Sequence, residues 1–279
     1  MNSKTVKMCL LIMFLAGFVS CIYDREFNEP LKICFVRSGN IWVMDIDGDN
    51  QEQLTSSGLD SYPSWSPDGM KIVFQSMRDG NEDIFIMNHD GSDEKQITFT
   101  TAPDYCMYPT WLPDGDRIIF LGSRSATLYI FIISDKGTVK EQFSDGGLTL
   151  TTSSCSPDGE YAVFSCSTTL SRMNTSTGVF TTVTSSAFPS GHSWSPDGKE
   201  ICFSDGGNLY IGDPMGSDSY YSIYAGTAYD LCWTPDGKRI IFTTNPAGGD
   251  IYSIRPDGTD LKTISTGSDM QPCVQGKPR

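Results

Sequence analysis

The chain has 279 residues, and its 34 acidic side chains outnumber its 20 basic ones, which gives a net charge of −14. Binding to phosphates needs clustered Lys and Arg, so this balance argues against nucleic acid as a partner. The nine cysteines form neither a CxxC pair nor a Cys/His cluster with zinc spacing. We therefore expect no metal site, and no cofactor.

Residues 1–20 have the features of a secretory signal peptide. Lys4 and Lys7 precede an apolar run, Met8 to Val19, that is too short to span a bilayer comfortably. The run ends in Phe-Val-Ser-Cys, which resembles a bacterial lipobox and predicts acylation of Cys21. Acyl chains would anchor the protein in the periplasm or outer membrane, with residues 21–31 as a tether. There are two alternatives. One is an ordinary signal peptide with an incidental cysteine, and the other is a retained anchor.

Five Pro-Asp-Gly triplets recur at nearly even spacing along the rest of the chain. A Trp precedes four of them by two residues, and a short apolar run ending in Phe follows all five. The triplets begin at Pro67, Pro113, Pro157, Pro196 and Pro235, so that they lie 39 to 46 residues apart. A period of this length indicates a repeat architecture.

Residues 62–98 show how one repeat is organised. Residues 63–66 form a short extended piece, and the Pro-Asp-Gly triplet turns the chain. Residues 71–76 and 83–88 are rich in β-branched and aromatic side chains, and 95–98 complete a fourth strand. Four antiparallel strands without helical periodicity predict one blade of a β-propeller.

The two ends of the chain share one repeat. Residues 32–35, 40–44 and 52–55 match the second, third and fourth strands, whereas 269–274 align with the first strand at 60–65. The sequence therefore predicts an all-β fold over residues 32–279: a six-bladed β-propeller of four-stranded antiparallel blades, closed by a composite blade from both termini. Cys34 and Cys273 would then lie on neighbouring strands, where a disulfide is one possibility.

The repeat resembles a known family. Its motifs are similar to the TolB-type repeat of bacterial β-propellers over nearly all of residues 32–274. In chain order they are Trp-Ser-Pro-Asp-Gly, Ile-x-Phe, Asp-Ile-Phe-Ile-Met-Asn-x-Asp-Gly and Gln-Ile-Thr. TolB itself has an α/β domain before its propeller and works in the periplasm with the peptidoglycan-associated lipoprotein. Residues 21–32 leave no room for such a domain. The resemblance thus implies fold and compartment more strongly than TolB's own task.

Catalysis is not expected. The sequence has two histidines, His89 in a repeated turn and His192, and it lacks a Gly-x-Ser-x-Gly elbow. Oligogalacturonate lyases are built on similar repeats but bind a metal through several histidines. We therefore predict a protein that is not an enzyme, with a glycan-binding or polysaccharide-lyase-like propeller as the alternative.

The candidate site is the mouth of the central channel, where residues break the repeat. Tyr and Asp side chains together are suited to binding a peptide, and convergent carboxylates attract a basic segment. The candidates are Asp60, Tyr62, Asp104, Tyr105, Tyr108, His192, Tyr229, Asp230, Asp269 and Gln271, with Arg78 and Arg124 nearby. We predict a monomeric, lipid-anchored envelope module that touches the membrane through its anchor only and binds a protein or peptide with a basic element.

Overall fold

A computed structural model describes residues 30–125, 127–144, 150–166, 169–185, 191–205, 207–217 and 219–276. The predicted leader at 1–20, Cys21 and most of the tether lie outside these residues. Within the described part of the chain, no helix is long and apolar enough to cross a membrane.

The described residues form a series of antiparallel strands. The first three are β1 (Lys32–Arg37), β2 (Asn40–Asp45) and β3 (Glu52–Gln53). Four sheets of four strands follow in chain order. The first sheet contains β4 (Asp60–Trp65), β5 (Lys71–Ser76), β6 (Asp83–Asn88) and β7 (Lys95–Gln96). The second contains β8 (Cys106–Trp111), β9 (Arg117–Arg124), β10 (Thr127–Ser134) and β11 (Val139–Ser144).

The remaining strands continue this order. The third sheet contains β12 (Leu150–Cys155), β13 (Tyr161–Cys166), β14 (Leu170–Asn174) and β15 (Phe180–Thr184). The fourth contains β16 (His192–Trp194), β17 (Ile201–Ser204), β18 (Asn208–Gly212) and β19 (Tyr220–Ala225). The last strands are β20 (Tyr229–Trp233), β21 (Ile240–Thr243), β22 (Gly249–Ile254) and β23 (Lys262–Val274). The chain is thus an all-β propeller, as the sequence predicts.

Both chain ends meet in one seven-stranded sheet, ordered β20-β21-β22-β23-β1-β2-β3. The first half of β23 pairs with β22, with Tyr252 opposite Thr263. Its second half pairs with β1, with Val36 opposite Met270. The sequence predicts a strand at 269–274, and in the structure this segment is the second half of a continuous 13-residue strand that begins at Lys262.

The apolar core lies between consecutive sheets. Phe120 of β9, for example, packs in one cluster with Val73 and Ile84 of the preceding sheet. Equivalent clusters join each sheet to the next, and a further one joins β21 and β22 to β1 and β2 through Ile241, Ile251 and Phe35. The second strands are therefore buried on both faces, which explains their nearly continuous apolar sequences.

Two outer strands are shorter than predicted, since β3 and β7 have two residues each. In both, a threonine side chain replaces the next backbone pairing. The Thr55 hydroxyl accepts a hydrogen bond from the Ile41 N–H at 2.9 Å, and the Thr98 hydroxyl accepts one from the Ile84 N–H at 2.8 Å. The threonine of the Gln-Leu-Thr and Gln-Ile-Thr motifs thus ends the strand by satisfying its neighbour's donor.

Candidate functional site: the central channel

The innermost strands of all the sheets surround a central cavity of about 270 Å³. Its walls come from β4, β8, β12, β16 and β20 and from the second half of β23. Most of the lining belongs to the three residues before the Trp position of each repeat, such as those before Trp65 and Trp233. Each repeat therefore contributes a few side chains of its inner strand to the wall of the central cavity.

Four of these inner strands have a left-handed residue at the same position. Tyr62, Tyr108, Asp230 and Gln271, each three residues before the Trp position, have φ between 51° and 58°. The pairing of β4, β8 and β20 with their neighbours shifts by one residue there, which defines a β-bulge. A left-handed conformation costs a non-glycine residue about 1 kcal/mol. The bulges turn these side chains into the cavity wall.

Side chains from neighbouring strands satisfy the N–H groups that the bulges free. The Gln271 N–H donates to Asp230 Oδ2 at 3.1 Å, and the Tyr62 N–H donates to Gln271 Oε1 at 2.7 Å. The Tyr108 N–H donates to Gln75 Oε1 at 3.0 Å. The Tyr62 and Tyr108 rings meet edge to face, with centroids 4.6 Å apart. The wall is therefore fixed by contacts between successive strands.

Asp230 is the charged group of this wall. Burial raises its pKa to about 6, against the opposing effects of hydrogen bonds from the Gln271 N–H and the Thr243 hydroxyl. Burial, with the nearby Tyr108 and Asp230, also raises the pKa of Tyr62. Among the described residues that line the cavity, Asp230 alone carries a carboxylate. Its charge therefore changes just below neutral pH.

The carboxylates of Asp60 and Asp269 are not free to face a partner, contrary to the sequence-based expectation of converging charges. Both side chains are fully buried in ion pairs. Arg78 Nη2 lies 2.7 Å from Asp60 Oδ1. Arg37 contacts both carboxylate oxygens of Asp269, at 2.6 and 2.9 Å. Arginine thus neutralises the two residues within the fold.

The two arginines are held in the same way. Arg37 stacks over the rings of Phe35 and Trp42, with its guanidinium carbon 5.0 and 5.1 Å from their centroids. Arg78 stacks over Phe74 and Phe85, at 5.4 and 4.8 Å. Each arginine therefore joins an inner strand to the second and third strands beside it.

His192 lines the cavity but its ring nitrogens face the protein. Nε2 lies 2.9 Å from the Val163 carbonyl oxygen, and Nδ1 lies 3.0 Å from the Ser165 hydroxyl. The carbonyl can only accept, which assigns the proton to Nε2. Burial lowers the pKa of His192 to about 4, so the ring is neutral at physiological pH. It joins β16 to β13 and offers no free base.

The other candidates lie outside the cavity wall as the described residues define it. The Ser123 hydroxyl donates to Asp104 Oδ1 at 3.2 Å and accepts a hydrogen bond from the Tyr105 N–H at 3.0 Å. Arg124 is exposed, and Tyr229 is half-buried at the start of β20. A binding role for these residues stays a prediction. Within the described residues, no group of three or more His, Cys, Asp or Glu is arranged to hold a metal ion.

Comparison with known proteins identifies the family. Residues 35–211 match the TolB beta propeller domain. The chain belongs to this family. A segment of 97 residues is 34% identical to the Tol-Pal system protein TolB of Syntrophus aciditrophicus, which covers 32% of this chain and 22% of that relative. The match thus spans less than a quarter of the relative's length.

Solved structures place this TolB-type chain among propellers of different proteins. The crystal structure of TolB from Acinetobacter baumannii has a TM-score of 0.76 at 20% identity, covering 88% of this chain and 67% of that one. A chain of a Nidogen/Laminin complex reaches 0.74 at 9% identity, covering 88% and 98%. Likeness at these identities shows the fold alone.

Sequence reasoning found part of the cavity wall of this TolB-type propeller and missed the rest. Tyr62, Tyr108 and Gln271 stood out because they interrupt the repeat, and the structure brings them together. Cys232 and Cys273 also line the wall. The sequence suggested only a possible disulfide with Cys34 for Cys273 and singled out no role for Cys232. Their shared position directly before the Trp position was the signal that would have found them.

Proposed function

We propose that this TolB-type propeller is a non-catalytic binding module of the bacterial cell envelope, which takes a protein or peptide segment into the mouth of its channel. The observation that supports this is the ionisable Asp230 in a cavity lined by every inner strand. The partner would present a Lys or Arg to Asp230. This element of the proposal rests on charge complementarity in a partly dry space.

The wall beside Asp230 suits the long stem of a basic side chain. Tyr62 and Tyr108 provide aromatic surface, and Pro63 and Pro109 extend it along the same strands. Lys and Arg bury their methylene stems on apolar surface while their charged ends reach a polar group. Aromatic faces also attract cations. A neutral glycan would use the same tyrosines and donate hydroxyl hydrogen bonds to the carboxylate, but it carries no cation to pair with the charge.

We infer six blades for the propeller. In this interpretation the seven-stranded sheet is two blades that share β23, one built on β20 to β22 and the other on β1 to β3. The apolar cluster between Ile241 and Phe35 supports it, because it continues the series of clusters between consecutive sheets. A crystal structure with fewer or more blades would overturn this count.

The envelope location rests on the leader and on the relatives. The curated relative is named for the Tol-Pal system, and we infer that this chain works in the same compartment, held by acyl chains on Cys21. Mass spectrometry of the mature N-terminal peptide tests the anchor. An unmodified Cys21, or a mature chain that begins elsewhere, would contradict it.

Photocrosslinking at the channel tests the binding proposal. Tyr108 is replaced by the photoreactive amino acid p-benzoylphenylalanine, and the cells are irradiated before the crosslinked peptide is identified. Tyr221 is the matched control, since it is an exposed tyrosine (52%) on the outer strand β19. We expect one protein segment containing Lys or Arg at Tyr108 and not at Tyr221. Equal capture at both positions, or capture of segments without basic residues, would overturn the proposal.

A further inference from the structure

Two cysteines replace hydroxyl side chains at one repeated position in the channel wall. Directly before the Trp position, the other inner strands carry Ser64, Thr110, Ser154 and Ser193. In β20 and β23 this position holds Cys232 and Cys273, which both line the cavity and are partly exposed. The strands β20 and β23 are neighbours in the channel wall, so the two thiols lie side by side.

Cys232 keeps the hydrogen-bonding role of the serine it replaces. The Trp233 N–H donates to the Ser193 hydroxyl at 3.2 Å, from one inner strand to the next. In the same way, the Val274 N–H donates to Cys232 Sγ at 3.3 Å. This contact places Cys232 directly beside the backbone of β23 at the residue that follows Cys273.

A third thiol lies on the other side of Cys273. Cys34 of β1 is its direct partner in the antiparallel pairing, and the Cys34 side chain is fully buried. Directly opposed residues of an antiparallel pair have Cα atoms about 4.5–5.5 Å apart, within the range that a disulfide spans. All three cysteines are free thiols in this structure.

Cys273 differs from its neighbours in its surroundings. Its contacts with the thiols of Cys232 and Cys34, and with the Trp65 N–H, lower its pKa. Burial, and then the contact with Cys273, raise the pKa of Cys34. For Cys232 the contact with Cys273 comes first and burial second, and both raise its pKa. Cys273 also lines the cavity between the other two thiols, so we expect it to be the first of the three to react.

We propose that Cys273, Cys232 and Cys34 form a thiol–disulfide exchange site in the channel wall, at which Cys273 reacts with a disulfide that enters the channel and a neighbouring thiol resolves the product. The substrate class is a small or peptide-borne disulfide, because Cys273 lines the cavity and a molecule of this size fits there.

The exchange proceeds in two balanced steps. The Cys273 thiolate attacks one sulfur of the incoming disulfide, which breaks its S–S bond and releases one thiolate. Cys232 or Cys34 then attacks the Cys273 sulfur, forms an intramolecular disulfide and releases the second thiolate. The two protein thiols lose two electrons to the incoming disulfide, and their two protons pass to the released thiolates.

Cys155 is a matched comparison within the same cavity. It also lines the wall and is partly exposed. Burial raises its pKa to about 12, and no thiol is among the groups that shift it. A reagent that enters the channel therefore meets Cys232 and Cys273, which lie side by side, and Cys155, which has no thiol among the groups that shift its pKa.

The test uses the full chain, purified under reducing conditions and treated with 4,4′-dithiodipyridine, a neutral disulfide that releases a coloured thiopyridone. Peptide mapping follows each cysteine over time. We expect Cys273 to react at least about tenfold faster than Cys155. The Cys273 product should be an intramolecular disulfide with Cys232 or Cys34, whereas Cys155 should retain the thiopyridyl group.

Variants separate attack from resolution. Cys273→Ser should lose the fast reaction, and the fold should tolerate it since Ser64 and Ser193 occupy the same position elsewhere. The double variant Cys232→Ser, Cys34→Ala should form the adduct on Cys273 and retain it, because no neighbouring thiol remains to resolve it. Equal rates for Cys273 and Cys155 in the unaltered protein, or an adduct retained on Cys273, would overturn the proposal.

Discussion

Asp230 illustrates how a single bulge residue acquires a function. Its left-handed backbone places the carboxylate in the cavity, where the Gln271 N–H donates to it. Burial raises its pKa to about 6, so the folded chain holds this proton more tightly than the unfolded chain does. The resulting contribution to stability is full below the carboxyl's ordinary pKa and is lost as the pH rises through about 6.

Asp230→Asn should therefore stabilise the fold at neutral pH. The amide oxygen can still accept the Gln271 N–H, but no buried charge forms. We expect the melting temperature near pH 7.5 to rise by roughly 2–4 °C, and we expect no difference near pH 4, where the unaltered carboxyl is protonated. Thermal unfolding of both proteins at the two pH values is the measurement. An equal difference at both would show that the charge is not the cause.

Asp60 and Asp269 show what alignment of the repeats does not reveal. Asp60 and Asp269 occupy one repeated position, which suggested a shared surface role. The arginines that bind them sit at different offsets, Arg37 two residues after Phe35 and Arg78 four residues after Phe74. Alignment of the repeats could not reveal this pairing. An arginine pairs with the carboxylate that its long side chain can reach, and arginines at different positions in the repeat can reach the same site.

At the scale of elements, the Arg37–Asp269 pair fixes the junction of β1 with β23. Arg37→Met should remove the cation and leave the fully buried Asp269 carboxylate unpaired. Removing one partner of a buried pair costs about 3–5 kcal/mol. We therefore expect a lower urea midpoint for this variant, with the loss read from equilibrium unfolding.

Lys95→Met provides the control for that measurement. It removes an ion pair with Asp93 in which both side chains are more than half exposed. Exposed pairs contribute about 1 kcal/mol or less. Equal destabilisation by the two changes would show that the Arg37 pair does not hold the junction.

The strands themselves could largely be predicted, and their ends could not. Apolar runs and Pro-Asp-Gly turns located β4, β5 and β6 within a few residues of their observed bounds. The length of β7 depends on the Thr98 hydroxyl, and the continuity of β23 depends on its pairing with both β22 and the distant strand β1. The pairing with β1 leaves no local pattern in the sequence.

For the whole molecule, the repeat predicted an all-β propeller, because the apolar faces of each unit are buried only when another unit packs on either side. The position of the cavity followed from the same reasoning. The chemistry of the cavity did not, because many of the described acidic side chains on this chain of net charge −14 lie in turns and ion pairs. The turn residues Asp90 and Asp257, for example, accept hydrogen bonds from Ser92 and Thr259.

The central claim, that a basic segment binds beside Asp230, is tested most directly by the affinity of the segment captured at Tyr108, measured calorimetrically as a synthetic peptide. Affinity should fall with added salt and as the pH drops through about 6, where Asp230 gains a proton. Asp230→Asn should bind more weakly and lose the pH dependence, while Asp257→Asn, in an exposed turn, should bind like the unaltered protein. Equal affinity and an unchanged pH profile in Asp230→Asn would contradict the account.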